Sequence, residues 1–292
     1  MIDHEKTFIR DARPMKGGNI LVEGTLNFAL SFWNFIFNLI GQLLGTSPQE
    51  FGKDGVWQVI SNINGSLMAV GLALLPVFFM IGMVKAGASY VEYKRPEAIG
   101  KVFVRFGISW AVVVFGMDLL MYIWGMCQSV IQKIITNSSG GSELTIPQEL
   151  HQALSHANWF DSILLWILAA IGTIVIMVLS IIVILSVFGR FFRIYLYLAL
   201  APIPMASFAG EPTQSTGISF IKGFAAHCLE GAIIVLACII FSLFSGTSIF
   251  GIDTSNVWSA TLSYLGSTIL NMMILVTITK MADRVTREML GL

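Results

Sequence analysis

Residues 162–188 read SILLWILAAIGTIVIMVLSIIVILSVF and contain no charged side chain. An α-helix rises about 1.5 Å per residue, so roughly 20 apolar residues cross the hydrocarbon core of a bilayer. This stretch is long enough, and it lacks the two-residue alternation of barrel strands. It therefore predicts a transmembrane helix.

Other parts of the 292-residue chain have the same character. Hydrophobic residues make up 55% of it, charged residues only 12%, and the mean hydropathy is +0.79. Because so little charge could not cover a soluble domain of this size, we expect an all-α, polytopic helical membrane protein. We predict an N-terminal segment over 1–55 and a transmembrane domain over 56–292. About five spans are expected, near 56–84, 102–126, 162–188, 224–244 and 258–278.

The distribution of basic residues predicts which span ends face the cytoplasm. Lysines and arginines cluster between the first two spans, at the end of the third and at the end of the chain, whereas 137–160 and 245–257 contain none. The positive-inside rule then places the C-terminus in the cytoplasm and these two gaps outside the cell membrane. Tryptophans mark the outer ends of the spans: Trp57, Trp124, Trp159 and Trp258.

The N-terminal segment contains an amphipathic helix near 24–44. A narrow polar stripe runs along an otherwise Phe- and Leu-rich helix. Its members are Glu23, Asn27, Ser31, Asn34, Asn38 and Gln42. The helix either lies on the outer surface, with five spans and an extracytoplasmic N-terminus, or crosses the bilayer as a sixth span. The sequence favours the outer surface.

Like the amphipathic helix, one further stretch does not fit a simple count of spans. It reads FFRIYLYLALAPIPMASFAG, residues 191–210. It is apolar enough to span, but Pro202 and Pro204 each remove a backbone donor and interrupt a regular helix. Broken backbone at membrane depth needs cover from protein or water. We therefore predict a re-entrant or interfacial elbow on the cytoplasmic side, with Arg190 and Arg193 at its start.

Signatures of enzymatic chemistry are absent from the sequence, so we predict no catalytic, cofactor-binding or metal-binding residue and no enzyme activity. Ionisable residues within predicted spans are the remaining candidates, because charge inside a bilayer is costly and is by default functional. Asp118, His227 and Glu230 are predicted to line a polar path or a seam between subunits. The alternative is that they bond to one another and join helices. The three cysteines are expected to be structural.

The gap between the first two spans reads GASYVEYKRPEAIGK, residues 87–101. Its mixed charge is typical of a solvated anchor, and a docking loop for a cytoplasmic partner, centred on Lys94 and Arg95, is the sharper hypothesis.

Residues 188–236 read FGRFFRIYLYLALAPIPMASFAGEPTQSTGISFIKGFAAHCLEGAIIVL. With the preceding amphipathic helix and series of spans, this stretch resembles the polytopic channel component of conjugative type IV secretion systems, the TrbL type, in its compact Gram-positive variant. Arg190, Arg193, Pro202, Pro204 and Lys222 match the family's central segment, where their role is architectural.

The resemblance implies a non-enzymatic channel or scaffold subunit that oligomerises and helps translocate single-stranded DNA with its relaxase, or a protein substrate. Expected partners are other secretion subunits, including the secretion ATPase, further copies of the chain, membrane lipids and, transiently, the DNA–relaxase substrate. No cofactor is implied. The alternative is a self-sufficient ion- or proton-coupled transporter or channel.

Overall fold

A computed structural model describes residues 17–87, 96–137, 144–155, 159–245 and 256–292. Within these ranges every regular element is a helix and no strand is present, which confirms the predicted all-α class. The docking-loop residues Lys94 and Arg95 lie outside the described residues, so that assignment stays a prediction.

The described ranges contain ten α-helices and one 3₁₀ turn. The helices, in chain order, are α1 (Gly17–Gly45), α2 (Pro48–Phe51), α3 (Lys53–Gly87), α4 (Pro96–Val114), α5 (Gly116–Asn137), α6 (Gln148–Ser155), α7 (Trp159–Leu200), α8 (Pro202–Met205), α9 (Gln214–Ser245) and α10 (Val257–Met289). The 3₁₀ turn, Ala206–Ala209, follows α8 directly.

Five of these helices are long and apolar enough to cross a membrane: α1, α3, α7, α9 and α10. The number of candidate spans agrees with the prediction, but the helices that make up the five are not all the predicted ones. The predicted second span is divided into α4 and α5, whose axes are bent by 70° at Phe115. α1, which the sequence favoured as a surface helix, has the length and composition of a span.

The predicted elbow begins later than expected. α7 continues without interruption through 191–200 and ends at Leu200, so Arg190 and Arg193 lie on a long helix and not on a broken segment. The physical reason is that a proline disrupts the turn before it and can itself occupy the first turn of a new helix. The break is therefore confined to α8 and the 3₁₀ turn, which contain Pro202 and Pro204.

Glycines let this break pack closely against neighbouring helices. Gly71 of α3 is so near Pro202 that a Cβ at Gly71 would lie 2.6 Å from the Pro202 carbonyl oxygen. Farther along α3, a Cβ at Gly82 would lie 3.1 Å from the Cα of Gly210. Gly116, the first residue of α5, is covered in the same way by Met205. Protein thus covers the irregular backbone, as an apolar surrounding requires.

The chain divides into two compact units, each made of three stretches of sequence. Unit 1 comprises 1–40, 140–185 and 237–278, and unit 2 comprises 41–139, 186–236 and 279–292. Every lysine and arginine among the described residues belongs to unit 2. The division at residue 55 predicted from the sequence stays a prediction.

In unit 1, α1 presents one face to the interior. Its buried side chains recur at three- and four-residue spacing and include Val22, Leu26, Leu30 and Trp33. The Trp33 ring packs on Phe241 of α9, with centroids 5.2 Å apart. Burial of such an aromatic pair stabilises the contact between the two helices.

Candidate functional site: a buried ionic cluster

Unit 2 contains a cluster of charged side chains from α7, α9 and α10, each helix contributing two residues one turn apart. Its members are Arg190 and Arg193 of α7, His227 and Glu230 of α9, and Asp283 and Arg287 of α10. We refer to these six residues as the ionic cluster.

Arg190 is fully buried, although an isolated charge is costly to remove from water. Its Nε donates to the carbonyl oxygen of His227 at 3.1 Å, and Nη2 donates to that of Cys228 at 3.0 Å. On its other side the guanidinium lies over the Trp124 ring, 4.8 Å from the centroid. Two carbonyls and an aromatic face therefore replace part of its hydration shell.

The remaining nitrogen of Arg190, Nη1, has no hydrogen-bond partner among the described residues. It packs against the backbone of Gly231, where any side chain would collide with the guanidinium. The glycine therefore makes the slot that admits Arg190, and it positions the guanidinium beside the carbonyls of the preceding turn of α9.

Arg193 and Glu230 form the shortest ion pair of the cluster. Nη2 of Arg193 lies 2.6 Å from one carboxylate oxygen of Glu230 and 2.8 Å from the other. Glu230 is 3% exposed at its side chain and Arg193 is 39% exposed. The pair therefore has one solvated end and one buried end, and it ties α7 to α9.

His227 connects this pair to α10. Its Nδ1 is 3.4 Å from Glu230 and 3.3 Å from Asp283, and its Nε2 is 3.2 Å from Nη2 of Arg287. Because a guanidinium only donates, Nε2 accepts, and the ring proton belongs on Nδ1, which faces the two carboxylates. The imidazole thus bridges three other side chains of the cluster.

Three groups of the cluster could in principle hold a metal ion: His227, Glu230 and Asp283 offer ligand atoms within 4.8 Å of one another. The surrounding charge opposes this use. Glu230 is already paired with Arg193, and Asp283 with Arg287 at 3.1 Å. A divalent cation would have to displace both guanidiniums from the carboxylates or lie beside them against charge repulsion. The arrangement is therefore better suited to holding helices together.

The structure brings two of the three sequence-predicted ionisable residues together. His227 and Glu230 contact each other, as the bonding alternative required. Asp118 makes no ion pair with any described residue and is exposed in the first turn of α5, where a carboxylate interacts favourably with the helix dipole. Their assignment to a polar path or subunit seam stays a prediction.

Sequence reasoning did not foresee the roles of Asp283, Arg287 and Trp124. The available signal was that three helices each carry a charged pair at i,i+3 or i,i+4, which puts both charges on one face. Trp124 was expected at an outer headgroup layer, but it is 3% exposed and lies beneath Arg190. The ring therefore packs on a guanidinium, and its placement at the outer end of a span stays a prediction.

Two contacts show that some of the predicted sides of the spans are mutually incompatible, while the overall orientation stays a prediction. Arg190, expected at a cytoplasmic end, contacts Trp124, expected at an outer end. Phe51, just before the first predicted span, stacks on Phe191 of α7 with centroids 4.0 Å apart. Residues in contact lie on one side of a roughly 30 Å core, so these opposing assignments cannot all hold. The 70° bend at Phe115 explains the first case.

Comparison with protein families gives a match that spans more than half of the chain. The model for TrbL/VirB6 plasmid conjugal transfer like proteins matches residues 34–202. The chain belongs to this TrbL/VirB6 family. No match was found among curated proteins or solved structures. Family membership confirms the resemblance noted in the sequence and makes the chain a component of a conjugal transfer system, within a multi-pass membrane architecture.

The family match ends at Pro202, within the break, and includes Arg190 and Arg193. His227, Glu230, Asp283 and Arg287 lie beyond it. The two α7 residues of the ionic cluster therefore belong to the matched region, and the other four members come from α9 and α10.

Proposed function

We propose that this protein is a non-enzymatic channel or scaffold subunit of a conjugative type IV secretion system, and that it helps single-stranded DNA with its relaxase, or a protein substrate, to cross the cell membrane. The TrbL/VirB6 family match carries this proposal. Other secretion subunits, including the secretion ATPase, and further copies of this chain are the proposed partners. No cofactor is required by this role.

The ionic cluster supports an architectural role. Its charges pair with one another, its histidine bridges them, and Arg190 is held by backbone carbonyls. No described hydroxyl or thiol nucleophile is hydrogen-bonded to His227. A general base needs such a partner in nucleophilic catalysis. The cluster instead fixes the relative positions of α7, α9 and α10 within unit 2.

We also propose a cytoplasmic C-terminus and an extracytoplasmic N-terminus. The end of α10 carries Lys280, Arg284 and Arg287, which favours the cytoplasm by the positive-inside rule. In unit 1, Trp166 donates to Thr25 Oγ1, so the early turns of α7 and α1 lie side by side. If α7 begins outside, α1 begins outside as well.

Deletion of the gene in a donor cell tests the proposed function. Conjugation should be abolished and restored by a plasmid copy, while relaxase nicking of the transfer origin continues, because nicking precedes membrane passage. Normal conjugation from the deletion strain would refute the proposal. Loss of nicking would place the protein at DNA processing and would also refute it.

Topology can be tested separately with reporter fusions at residue 1 and after Leu292. Activity of a cytoplasmic reporter at the C-terminus and of an extracytoplasmic reporter at the N-terminus is expected. The reverse pattern would contradict the proposed orientation. It would not affect the result of the deletion experiment, so the orientation and the function are tested independently.

The alternative, a self-sufficient ion- or proton-coupled transporter, would use Asp118, His227 and Glu230 as a relay. The contact between His227 and Glu230 favours it, but Arg193 holds both oxygens of Glu230. Flux of protons or cations through proteoliposomes that contain only this protein would support the transporter.

A further inference from the structure

In unit 1 a polar segment, residues 144–155, packs along α1. Leu144 is bound by Asn34, and His151 by Glu23 near the beginning of the helix. From Gly45 to Glu23 the helix rises about 33 Å, close to the thickness of a hydrocarbon core.

These contacts are well-defined hydrogen bonds. The Asn34 side chain donates to the Leu144 carbonyl at 3.0 Å and accepts from the Leu144 amide at 3.1 Å. His151 Nδ1 lies 3.0 Å from Glu23 Oε1. Leu150 and Leu154 of α6 are buried. The segment 144–155 is therefore held against α1 by hydrogen bonds, and α6 turns its apolar side chains away from solvent.

The outer face of this assembly is hydrophilic. On α1 the exposed members of the polar stripe are Asn27, Ser31, Asn38 and Gln42. On α6 the exposed side chains are Gln148, Glu149, His151, Gln152 and Ser155. We call these nine residues the hydrophilic face.

Apolar side chains are exposed at the same level of unit 1. The adjoining face of α1 carries Phe28 and Phe35, which are 58% and 63% exposed. α7 contacts α1 at Thr25 through Trp166 and Thr173 and exposes apolar residues on both sides of this level. They include Phe160, Leu164, Ile167, Ile171, Ile174, Val178 and Ile181.

A single copy cannot satisfy both surfaces. Lipid around the whole of unit 1 would bury Glu149 and several amides without partners, and water around it would expose the apolar face of α7. Polar groups at membrane depth are tolerated where they line a water-filled space enclosed by protein. Both surfaces are accommodated if lipid covers the apolar face of α7 and a water-filled space adjoins the hydrophilic face.

We propose that α1 crosses the bilayer and that the hydrophilic face lines an aqueous path enclosed by further copies of this chain. The inference rests on the proposed function and identifies the surface that faces the substrate. It replaces the surface location of α1 favoured by the sequence. α7 has a mean hydropathy of 3.1 in its candidate span, and the described residues of unit 1 contain no lysine or arginine, both of which favour lipid contact for the opposite face.

The chemistry of the hydrophilic face suits passage of a hydrophilic polymer. Amides and hydroxyls predominate, and no lysine or arginine is present to retain phosphates. Because tight nucleic-acid binding depends on lysine and arginine contacts to the backbone, a polyanion would not be held here. An extended DNA strand or polypeptide could slide along such a surface.

Thiol accessibility tests the proposal in donor membranes that contain the complete transfer system. Asn27→Cys and Asn38→Cys are compared with Phe28→Cys and Phe35→Cys on the adjacent face of the same helix. The native residues Cys127, Cys228 and Cys238 are first replaced by serine or alanine in a strain that still conjugates. The probe is a charged, membrane-impermeant methanethiosulfonate.

The asparagine positions should react about tenfold faster, or more, than the phenylalanine positions, because a charged reagent enters hydrocarbon poorly. Equal rates on both faces would overturn the proposal, since water would then surround α1. Unreactive asparagine positions would also overturn it, since the hydrophilic face would then be closed by protein or lipid.

A depth measurement separates a crossing helix from a helix flat on the membrane. Bimane attached at Phe28→Cys and at Phe35→Cys is quenched with lipids that carry spin labels at different acyl depths. The two positions are expected to differ in depth by about 10 Å, seven residues of helix. Equal depths would place α1 along the surface and overturn the proposal, whereas the deletion phenotype described above would still stand.

Discussion

The guanidinium of Arg190 lies over the ring of Trp124 at 4.8 Å, and so a residue of α7 closes on a residue of α5 inside unit 2. The contact is possible because α5 bends away from α4 by 70° and because Gly231 leaves room for the guanidinium. One buried cation therefore links α5, α7 and α9. Removal of this cation should therefore weaken the packing of all three helices.

Arg190→Ala should destabilise the protein strongly. The substitution leaves the carbonyls of His227 and Cys228 without their donor and opens a cavity beside Trp124. The cavity and the lost hydrogen bonds together cost about 2–5 kcal/mol. Thermal unfolding in detergent measures the effect. Arg284→Ala, at an exposed arginine of α10, is the control and should leave the unfolding temperature nearly unchanged.

Arg193 and Glu230 should show strong coupling in a double-mutant cycle. Glu230→Gln or Arg193→Gln alone leaves the opposite charge without its partner, whereas the double substitution removes both charges. We expect the double variant to be clearly more stable than the sum of the two single effects predicts. The matched control is the exposed pair Arg284 and Glu288, whose coupling should be small. Additive effects at Arg193 and Glu230 would contradict the prediction.

The sequence predicted the helical class and the membrane character because apolar length is a local property of the chain. It placed the proline break correctly to within one short segment, since proline acts on its own and the preceding turn. It did not predict the ionic cluster: Asp283 reaches His227 only through the packing of α10 on α9. The charged pairs mark one face of each helix, but they do not specify which helices bring those faces together.

The side of each span end could not be fixed from the sequence for a related reason. The positive-inside rule and tryptophan positions treat each span as a straight rod, but the chain bends at Phe115 and α7 extends over 42 residues. At about 1.5 Å per residue that helix is roughly twice as long as a hydrocarbon core is thick. Residue spacing alone therefore could not fix which ends lie at the same level.

Gly71 and Gly65 on α3 provide a matched pair for the packing of the break. At Gly71, a Cβ would lie 2.6 Å from the Pro202 carbonyl oxygen, whereas at Gly65 it would meet no atom within 4 Å. Gly71→Ala should lower stability by about 1–3 kcal/mol through overpacking, and Gly65→Ala should be neutral or mildly stabilising. Unfolding temperatures in detergent compare the two. Equal effects would show that α3 does not contact Pro202 this closely.

Asp118→Asn separates the channel subunit from the transporter. Asp118 is exposed and has no ion-pair partner among the described residues, so its neutral isostere should fold normally. A surface substitution of this kind changes stability by about 0.5 kcal/mol or less, and conjugation frequency should remain within about twofold of the parent. Mating assays with matched protein levels measure this, with Glu288→Gln at another exposed acidic residue, on α10, as the control. Loss of conjugation together with loss of proton flux in proteoliposomes, at unchanged protein levels, would instead assign Asp118 to an ion relay, since a relay depends on a carboxylate that can take up and release a proton.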